Sequence, residues 1–311
     1  MSITVVGSIA YDAVRTPSGA RARMLGGAAT HFALAASFFD TVRPVGPVGG
    51  DFAQPDLRTL ASRGTITEDV VVVPQGSTFF WSGQYGPDLN TRETLDTQLG
   101  VFADFEPRLS AAARACDVLF LANIQPALQS LVLDQCDGPR FKALDSMNLW
   151  IETAREDLLA VVARVDCVVL NDAEIRQLTG KSTLPAAARE LLAMGPSAVI
   201  AKQGEYGAAL FSREGFFSLP AYPLEAVVDP TGAGDTFAGG MAGYLAAQRD
   251  RPVDHELLAG AMAYGTALAS FNVEEFGTDR VARLTLAEVQ ARVGELRRFT
   301  HFETPLVEET V

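Results

Sequence analysis

Cysteine, tryptophan and positive charge are all scarce in this chain of 311 residues. Its three cysteines, Cys116, Cys136 and Cys167, are widely spaced, odd in number and form no C-x-x-C pair, so neither a disulfide framework nor a structural zinc site has support. Lys and Arg together number 25 against 38 Asp and Glu, a net charge of −13. Nucleic acid and anionic membrane surfaces are bound through cationic patches, so neither is expected as a partner. A small anionic ligand needs only local donors and stays allowed. No stretch approaches the roughly 18 to 20 uninterrupted apolar residues of a membrane span. The start, Met1-Ser2-Ile3-Thr4-Val5-Val6-Gly7, has neither a basic segment nor a long apolar one, so no signal peptide is expected and the setting reads as cytoplasmic. What is there, 48% hydrophobic and 20% charged residues, is globular composition. No repeat, low-complexity tract or Pro/Ser linker cuts the chain, so a single domain over 1–311 is expected, long enough to bury a core without staples.

Short β-branched or apolar runs recur at Ile3 to Val6, Val70 to Val73, Val118 to Ala122, Phe141 to Leu144, Cys167 to Leu170 and Ala198 to Ala201. Between several of them lie Ala/Leu-rich stretches of helical periodicity: Ala28 to Phe39, Asp56 to Arg63, Pro126 to Gln135, Thr153 to Val165 and Ala186 to Met194. Such alternation predicts an α/β fold around a mostly parallel sheet. From about Gly234 the pattern turns helical, over Thr236 to Gln248, Leu257 to Phe271 and Leu286 to Phe299. Residues 69–103 break this rhythm. There Phe79, Trp81 and Tyr85 would share one face of a strand. An edge hairpin packed on the core and a small β-lid over a ligand fit that pattern equally. The acidic tail Thr304 to Val311 is expected to fray.

The strongest chemical signal is Val228-Asp229-Pro230-Thr231-Gly232-Ala233-Gly234-Asp235-Thr236-Phe237-Ala238-Gly239-Gly240. Pro230 is read as ending a strand. Gly232 and Gly234 permit a tight turn, and a helix is predicted to start near Ala233. A Gly-rich turn at a helix N-terminus binds anions, because unpaired N–H groups and the helix dipole face one point. Asp235 in that first turn can take a proton from a hydroxyl while the adjacent N–H groups hold negative charge. Base and anion hole together are the parts phosphoryl transfer needs. Taken singly, Asp235 would read as a dipole-favoured first-turn acid and the glycines as a turn; in one unbroken run they favour the chemical reading.

This run resembles the C-terminal signature of the PfkB carbohydrate kinases, the ribokinase-like sugar and nucleoside kinases. The likeness spans nearly the whole chain. It takes in Val6-Gly7-Ser8-Ile9-Ala10-Tyr11-Asp12, Leu25-Gly26-Gly27-Ala28-Ala29-Thr30-His31-Phe32-Ala33, Val45-Gly46-Pro47-Val48-Gly49-Gly50-Asp51-Phe52, Asn171-Asp172-Ala173-Glu174 and Gly204-Glu205-Tyr206-Gly207, in family order. The resemblance implies a three-layer α/β/α fold with a small β-sheet lid from segments about 12–24 and 69–103. It implies transfer of the ATP γ-phosphate to a primary hydroxyl of a neutral sugar or sugar-like alcohol, with Asp235 as base and Gly232, Ala233 and Gly234 as anion hole. Asp12, Gly26 and Gly27 would bind the acceptor; His31, where many relatives have Asn, would be a weaker contact.

Asn171 and Glu174 also read as a capping box, and both roles are compatible. In the family the matching pair organises nucleotide phosphates and Mg2+, Glu acting through water. Lys202, Gly204 and Gly207 would border the nucleotide, with Lys202 either a phosphate neutraliser or a surface charge. Asp229 and Thr231, with residues 272–277, match a monovalent-cation (K+) site. Two departures bear on the acceptor. Ala10 replaces a sugar-binding Asn, and Asp145-Ser146-Met147-Asn148-Leu149-Trp150 lacks an Arg that would hold an acidic substrate. A nucleoside acceptor, as in adenosine-kinase-like members, is the alternative, with Phe79, Trp81 and Tyr85 stacking on the base. A sensor without turnover has less support. Family lids often pair across homodimers, which leaves monomer and lid-paired dimer both open.

Overall fold

Residues 2–301 are described by the computed structural model. In chain order they form β1 (Ile3–Val6), β2 (Ala10–Thr16), β3 (Gly19–Gly26), α1 (Ala28–Ala36), β4 (Val42–Gly49), α2 (Gln54–Leu60), β5 (Val70–Val73), β6 (Phe79–Tyr85) and β7 (Arg92–Gln98). Next come α3 (Ala111–Arg114), β8 (Val118–Leu121), α4 (Pro126–Gln135), β9 (Phe141–Leu144), α5 (Asn148–Thr153), α6 (Arg155–Val162), β10 (Cys167–Asn171), α7 (Asp172–Thr179) and α8 (Leu184–Ala193). The remainder is β11 (Ala198–Lys202), β12 (Ala208–Ser212), β13 (Phe216–Leu219), α9 (Ala233–Ala247), α10 (His255–Asn272), α11 (Asp279–Arg283) and α12 (Leu286–Thr300).

Among the described residues, nine strands make one sheet in the order β13-β12-β11-β10-β9-β8-β1-β4-β5. It is parallel from β5 to β11 and ends in the antiparallel hairpin β12–β13. Successive side chains point to opposite faces, so a strand covered on both sides must be apolar throughout. In β8, Val118 and Phe120 pack with α1, α9 and α10, while Leu119 and Leu121 pack with α4, α6, α7 and α8. That produces three layers. The chain leaves β1 for β4 on one side and later returns to β8 on the other. The carboxyl ends of β1 and β8 therefore flank the crevice where open α/β sheets hold ligands.

A second sheet, β3-β2-β6-β7, is built from the chain that follows β1 and β5. Its two outer strands are largely exposed. Hydrogen bonds tie it to the loop before α9: Thr16 Oγ1 donates to Val228 O at 2.8 Å and Ser18 Oγ to Val227 O at 3.2 Å.

Helix α9 is rich in glycine, a poor helix former, for a steric reason. A Cβ on Gly239 would lie 2.3 Å from Phe32 O, one on Gly243 2.8 Å from Ala36 O, and one on Gly240 3.1 Å from Gly265 Cα. The glycines let α9 press directly onto α1 and α10, which fixes where its N-terminus points.

Several expectations are corrected. Val70–Val73 is the edge strand of the large sheet, so the lid's second segment begins at Phe79, and its first runs from Ala10 to Gly26. Asp12 lies within β2. No strand precedes Pro230; residues 220–230 run without regular structure. The helix read over Thr153 to Val165 runs only from Arg155 to Val162, and Ala154 (φ −142°, ψ 39°) separates it from α5, which ends at Thr153. The one read to Arg63 stops at Leu60, and Arg63 turns left-handed (φ 50°). There its guanidinium donates to Leu34 O, Val281 O and Ala282 O at the ends of α1 and α11. The acidic tail lies outside the described residues.

Candidate active site

The N-terminus of α9 is built as the glycine run requires. Gly232 caps the helix in the left-handed region (φ 74°), where a side chain is strained. Thr236 N–H closes the first helical turn on Gly232 O at 2.8 Å, and Ala233 N–H makes a longer bond to Pro230 O at 3.3 Å. Among the described residues the N–H groups of Gly232 and Gly234 have no backbone acceptor. Asp235 stands in this first turn, partly open to solvent.

Three strand ends converge on that turn. Lys202 closes β11, Asp145 follows β9, and Asn171 closes β10 and caps α7. Lys202 Nζ pairs with Asp145 Oδ2 at 2.5 Å and would lie 3.1 Å from a Cβ on Gly234. An ammonium beside a helix N-terminus has the wrong sign for the helix dipole. An anion between the two satisfies both, so this arrangement fits a phosphate. Lys202 is thus no surface charge. Burial draws its pKa down, but Asp145 and Glu174 outweigh this and the net direction is up.

The Asn171 capping box is complete. Asn171 Oδ1 accepts from Glu174 N at 2.8 Å, and Asn171 N donates to Glu174 Oε2 at 2.9 Å. The Glu174 carboxyl is nevertheless held above its usual range by burial and by Asp145, with Lys202 opposing. Asp235 is pushed up to about 7, first by burial and then by Asp145, while Lys202 and Arg92 pull it down. Carboxylates that are partly desolvated and close to one another favour a counter-cation. Among the described residues no three His, Cys, Asp or Glu side chains cluster as a metal cage. A Mg2+ ion, which keeps most of its waters and takes one or two carboxylates beside phosphate oxygens, suits that set.

Asp12 is buried, with its carboxyl pushed up to about 7 by burial and by Asp229. The nearby Gly27 N–H draws it back down. A Cβ on Gly26 would sit 2.0 Å from Asp12 Oδ2, and one on Gly27 2.5 Å from Ser8 O. The close approach that these glycines permit is therefore first of all to the protein's own Asp12 and Ser8. Gly204 (φ 57°) and Gly207 (φ 96°) shape the turn after β11. A Cβ on Gly207 would meet Leu219 O at 2.0 Å, which accounts for that glycine without a ligand.

Asp229 is fully buried and ties two loops together, accepting from Thr231 N at 2.9 Å and Gly277 N at 3.0 Å. Thr231 O accepts from Asn272 Nδ2 at 2.8 Å. The two segments matched to a monovalent-cation site are thus adjacent. His31 is also buried, with Nδ1 3.1 Å from Asn272 Oδ1.

The second sheet gives Tyr85 a partner at the α9 turn and adds Asn90 and Arg92, which the sequence reading overlooked. Thr231 Oγ1 donates to Tyr85 Oη at 3.2 Å. Arg92, opposite Tyr85 in the β6–β7 ladder, bears on Asp12, Glu174 and Asp235 through its charge. Asn90 in the lid turn reaches Glu205 at 3.4 Å, beside Gly204. Nothing in Asn90-Thr91-Arg92-Glu93 marks Arg92 as special, since its neighbours come from distant parts of the chain. Asp145 was signalled by its place directly after a strand, at the carboxyl edge. Of the three lid aromatics, Trp81 and Tyr85 pack with Val14 and Phe276, while Phe79 meets Phe102.

Comparison with known proteins bears on this arrangement. The profile of the pfkB family carbohydrate kinases matches residues 2–283. The cytidine kinase of Thermococcus kodakarensis is 32% identical over 265 residues, spanning 82% of this chain and 91% of that protein. A nucleoside kinase of Burkholderia thailandensis solved in complex with inosine superposes with a TM-score of 0.77 at 23% identity, covering 94% of this chain and 97% of that one. An E. coli protein described as a ribokinase II, in complex with ATP and Mg2+, gives a TM-score of 0.75 at 20% identity, over 94% and 99% of the two chains.

Proposed function

The chain belongs to the pfkB family of carbohydrate kinases, phosphotransferases that act on a hydroxyl group, and within it we propose that this protein is an ATP-dependent nucleoside kinase. The observation that carries the chemistry is the Lys202 ammonium set against the α9 N-terminus beside Asp235. The choice of acceptor rests on the cytidine kinase likeness, the relative that shares 32% identity over most of both chains.

In this reading Asp235 takes the proton from the acceptor hydroxyl. A base that titrates near 7 is matched to that task at neutral pH. The N–H groups of Gly232 and Gly234 and the Lys202 ammonium receive the phosphoryl oxygens, which gather negative charge during transfer. Asp12 accepts hydrogen bonds from sugar hydroxyls and orients the acceptor. Glu174 and Asp145 would hold Mg2+, which when bound offsets the charge of the nucleotide phosphates. The lid, anchored through Tyr85 and Thr231, shuts water out of the crevice, so that the acceptor is the only competing nucleophile.

One observation favours a second reading, a neutral sugar as acceptor. The Trp81 indole lies 2.1 Å from where a Cβ on Gly83 would stand, and its Nε1 donates to Thr94 Oγ1 at 3.3 Å, so its ring is engaged within the lid instead of offered to a base. ADP release with MgATP over a panel of nucleosides and free sugars separates the two. Pyrimidine or purine ribonucleosides preferred over ribose and hexoses by 10-fold or more in kcat/KM is the expected outcome; the reverse order selects the sugar.

A further inference from the structure

His31 is expected as a weak acceptor contact, and its neighbours point to a further task. Asn272 makes three contacts at once. Its Nδ2 donates to Thr231 O at 2.8 Å, while its Oδ1 accepts from Thr236 Oγ1 at 3.0 Å and lies 3.1 Å from His31 Nδ1. Turning the amide over would set its oxygen against the Thr231 carbonyl, so the orientation is fixed. An amide oxygen only accepts, hence Nδ1 of His31 carries the proton. Nε2 is then a bare acceptor, and it is buried without a partner. Protonation there is opposed by burial, although Asp229 favours it.

The ring also touches the glycine turn. A Cβ on Gly232 would stand 2.4 Å from each of Cε1, Nδ1 and Nε2, and three equal distances mean that the imidazole face lies across this residue. A trans peptide points its N–H opposite to its C=O. With Thr231 O held by Asn272, the Gly232 N–H is directed away from Asn272, on the side where it has no protein acceptor among the backbone groups of the described residues. We infer that His31 is a positioning residue: through Asn272 and by contact with Gly232 it aims the Gly232 N–H at the transferring phosphoryl group. This rests on the kinase reading of the α9 turn. In this role His31 acts through the turn.

The test combines a spectroscopic and a kinetic readout on the full chain. In 15N NMR of the unliganded protein, which has three histidines, the signal lost in His31→Asn should show a proton on Nδ1 and none on Nε2. His31→Ala should lower kcat roughly 10-fold or more, with KM for ATP and for the acceptor unchanged within about twofold. His31→Asn, which keeps an N–H near the Nδ1 position, should recover part of that loss. A ring protonated on Nε2, or a folded His31→Ala variant with normal kcat, overturns the inference while an active wild type leaves the kinase reading intact. A protein that phosphorylates no acceptor refutes the kinase reading and the phosphoryl-aiming role together; the Nδ1 signal then reports the hydrogen-bond geometry alone.

Discussion

At the residue scale the site is a balance of charges held away from water. Asp12 and Asp235 are each pushed up to about 7, and Glu174 is raised as well, because burial penalises their ionised forms and neighbouring carboxylates repel them, Asp229 beside Asp12 and Asp145 beside Glu174 and Asp235. Lys202 is the cation that limits this. Its removal, as in Lys202→Met, takes away a pull that lowers the Asp235 pKa and leaves Asp145 unpaired. A base works only when deprotonated, so activity is lost as pH falls through its pKa. The acidic limb of the kcat/KM profile should therefore lie near 7 in the wild type and move upward by about one unit in Lys202→Met, with kcat reduced. A limb that stays put or moves down would show that Lys202 does not act on the base. Because these groups interact, the limb belongs to the cluster, not to one carboxyl. Asp235 and its glycines stood out in the sequence because chemistry and spacing are local there, whereas Glu174 and Lys202 were pointed to by the family resemblance. Arg92 and the Asn272 contacts were not legible, since each depends on partners distant along the chain.

At the scale of elements, α9 is the part whose position decides the rest. Its small residues read as a helix of poor propensity until the packing is known. Each glycine that contacts α1 or α10 faces backbone atoms, which cannot move aside as a side-chain tip does. Gly239→Ala places a methyl 2.3 Å from Phe32 O and should destabilise the protein by about 1–3 kcal/mol. It should also lower kcat more than it raises either KM, since the helix that carries Asp235 is displaced while the strand-end contacts stay. Thermal unfolding together with steady-state kinetics checks this; unchanged stability would mean that the helices do not pack as closely as described. Short apolar runs identified the central strands well, because strands buried on both faces are apolar throughout. They could not tell an edge strand of the large sheet from a lid strand, and Val70–Val73 was misplaced for that reason. Helix α5 was missed because Asp145 to Trp150 were read as a strand-end motif.

At the scale of the whole molecule, the large sheet supplies the crevice and the second sheet closes it from the other side. Strand alternation and the motif order announced both sheets, whereas the contacts between them had no signature in the sequence. The lid meets the body through Thr16, Ser18 and Tyr85 at the loop before α9, and through Asn90 at the turn after β11. In the proposed function these are the two loops on which nucleotide and acceptor converge, so closing the second sheet would complete the site. A chain carrying a net charge of −13 repels nucleotides at long range. Lys202 and Arg92 are the local exceptions, and Mg2+ on the nucleotide reduces the penalty. Asp235→Asn measures the central claim most directly. It removes the base while keeping size and fold. The expected result is a fall in kcat by roughly 10^3 or more, with ATP affinity by calorimetry and melting temperature at pH 7 close to wild type. Near-normal turnover in that variant would contradict the account.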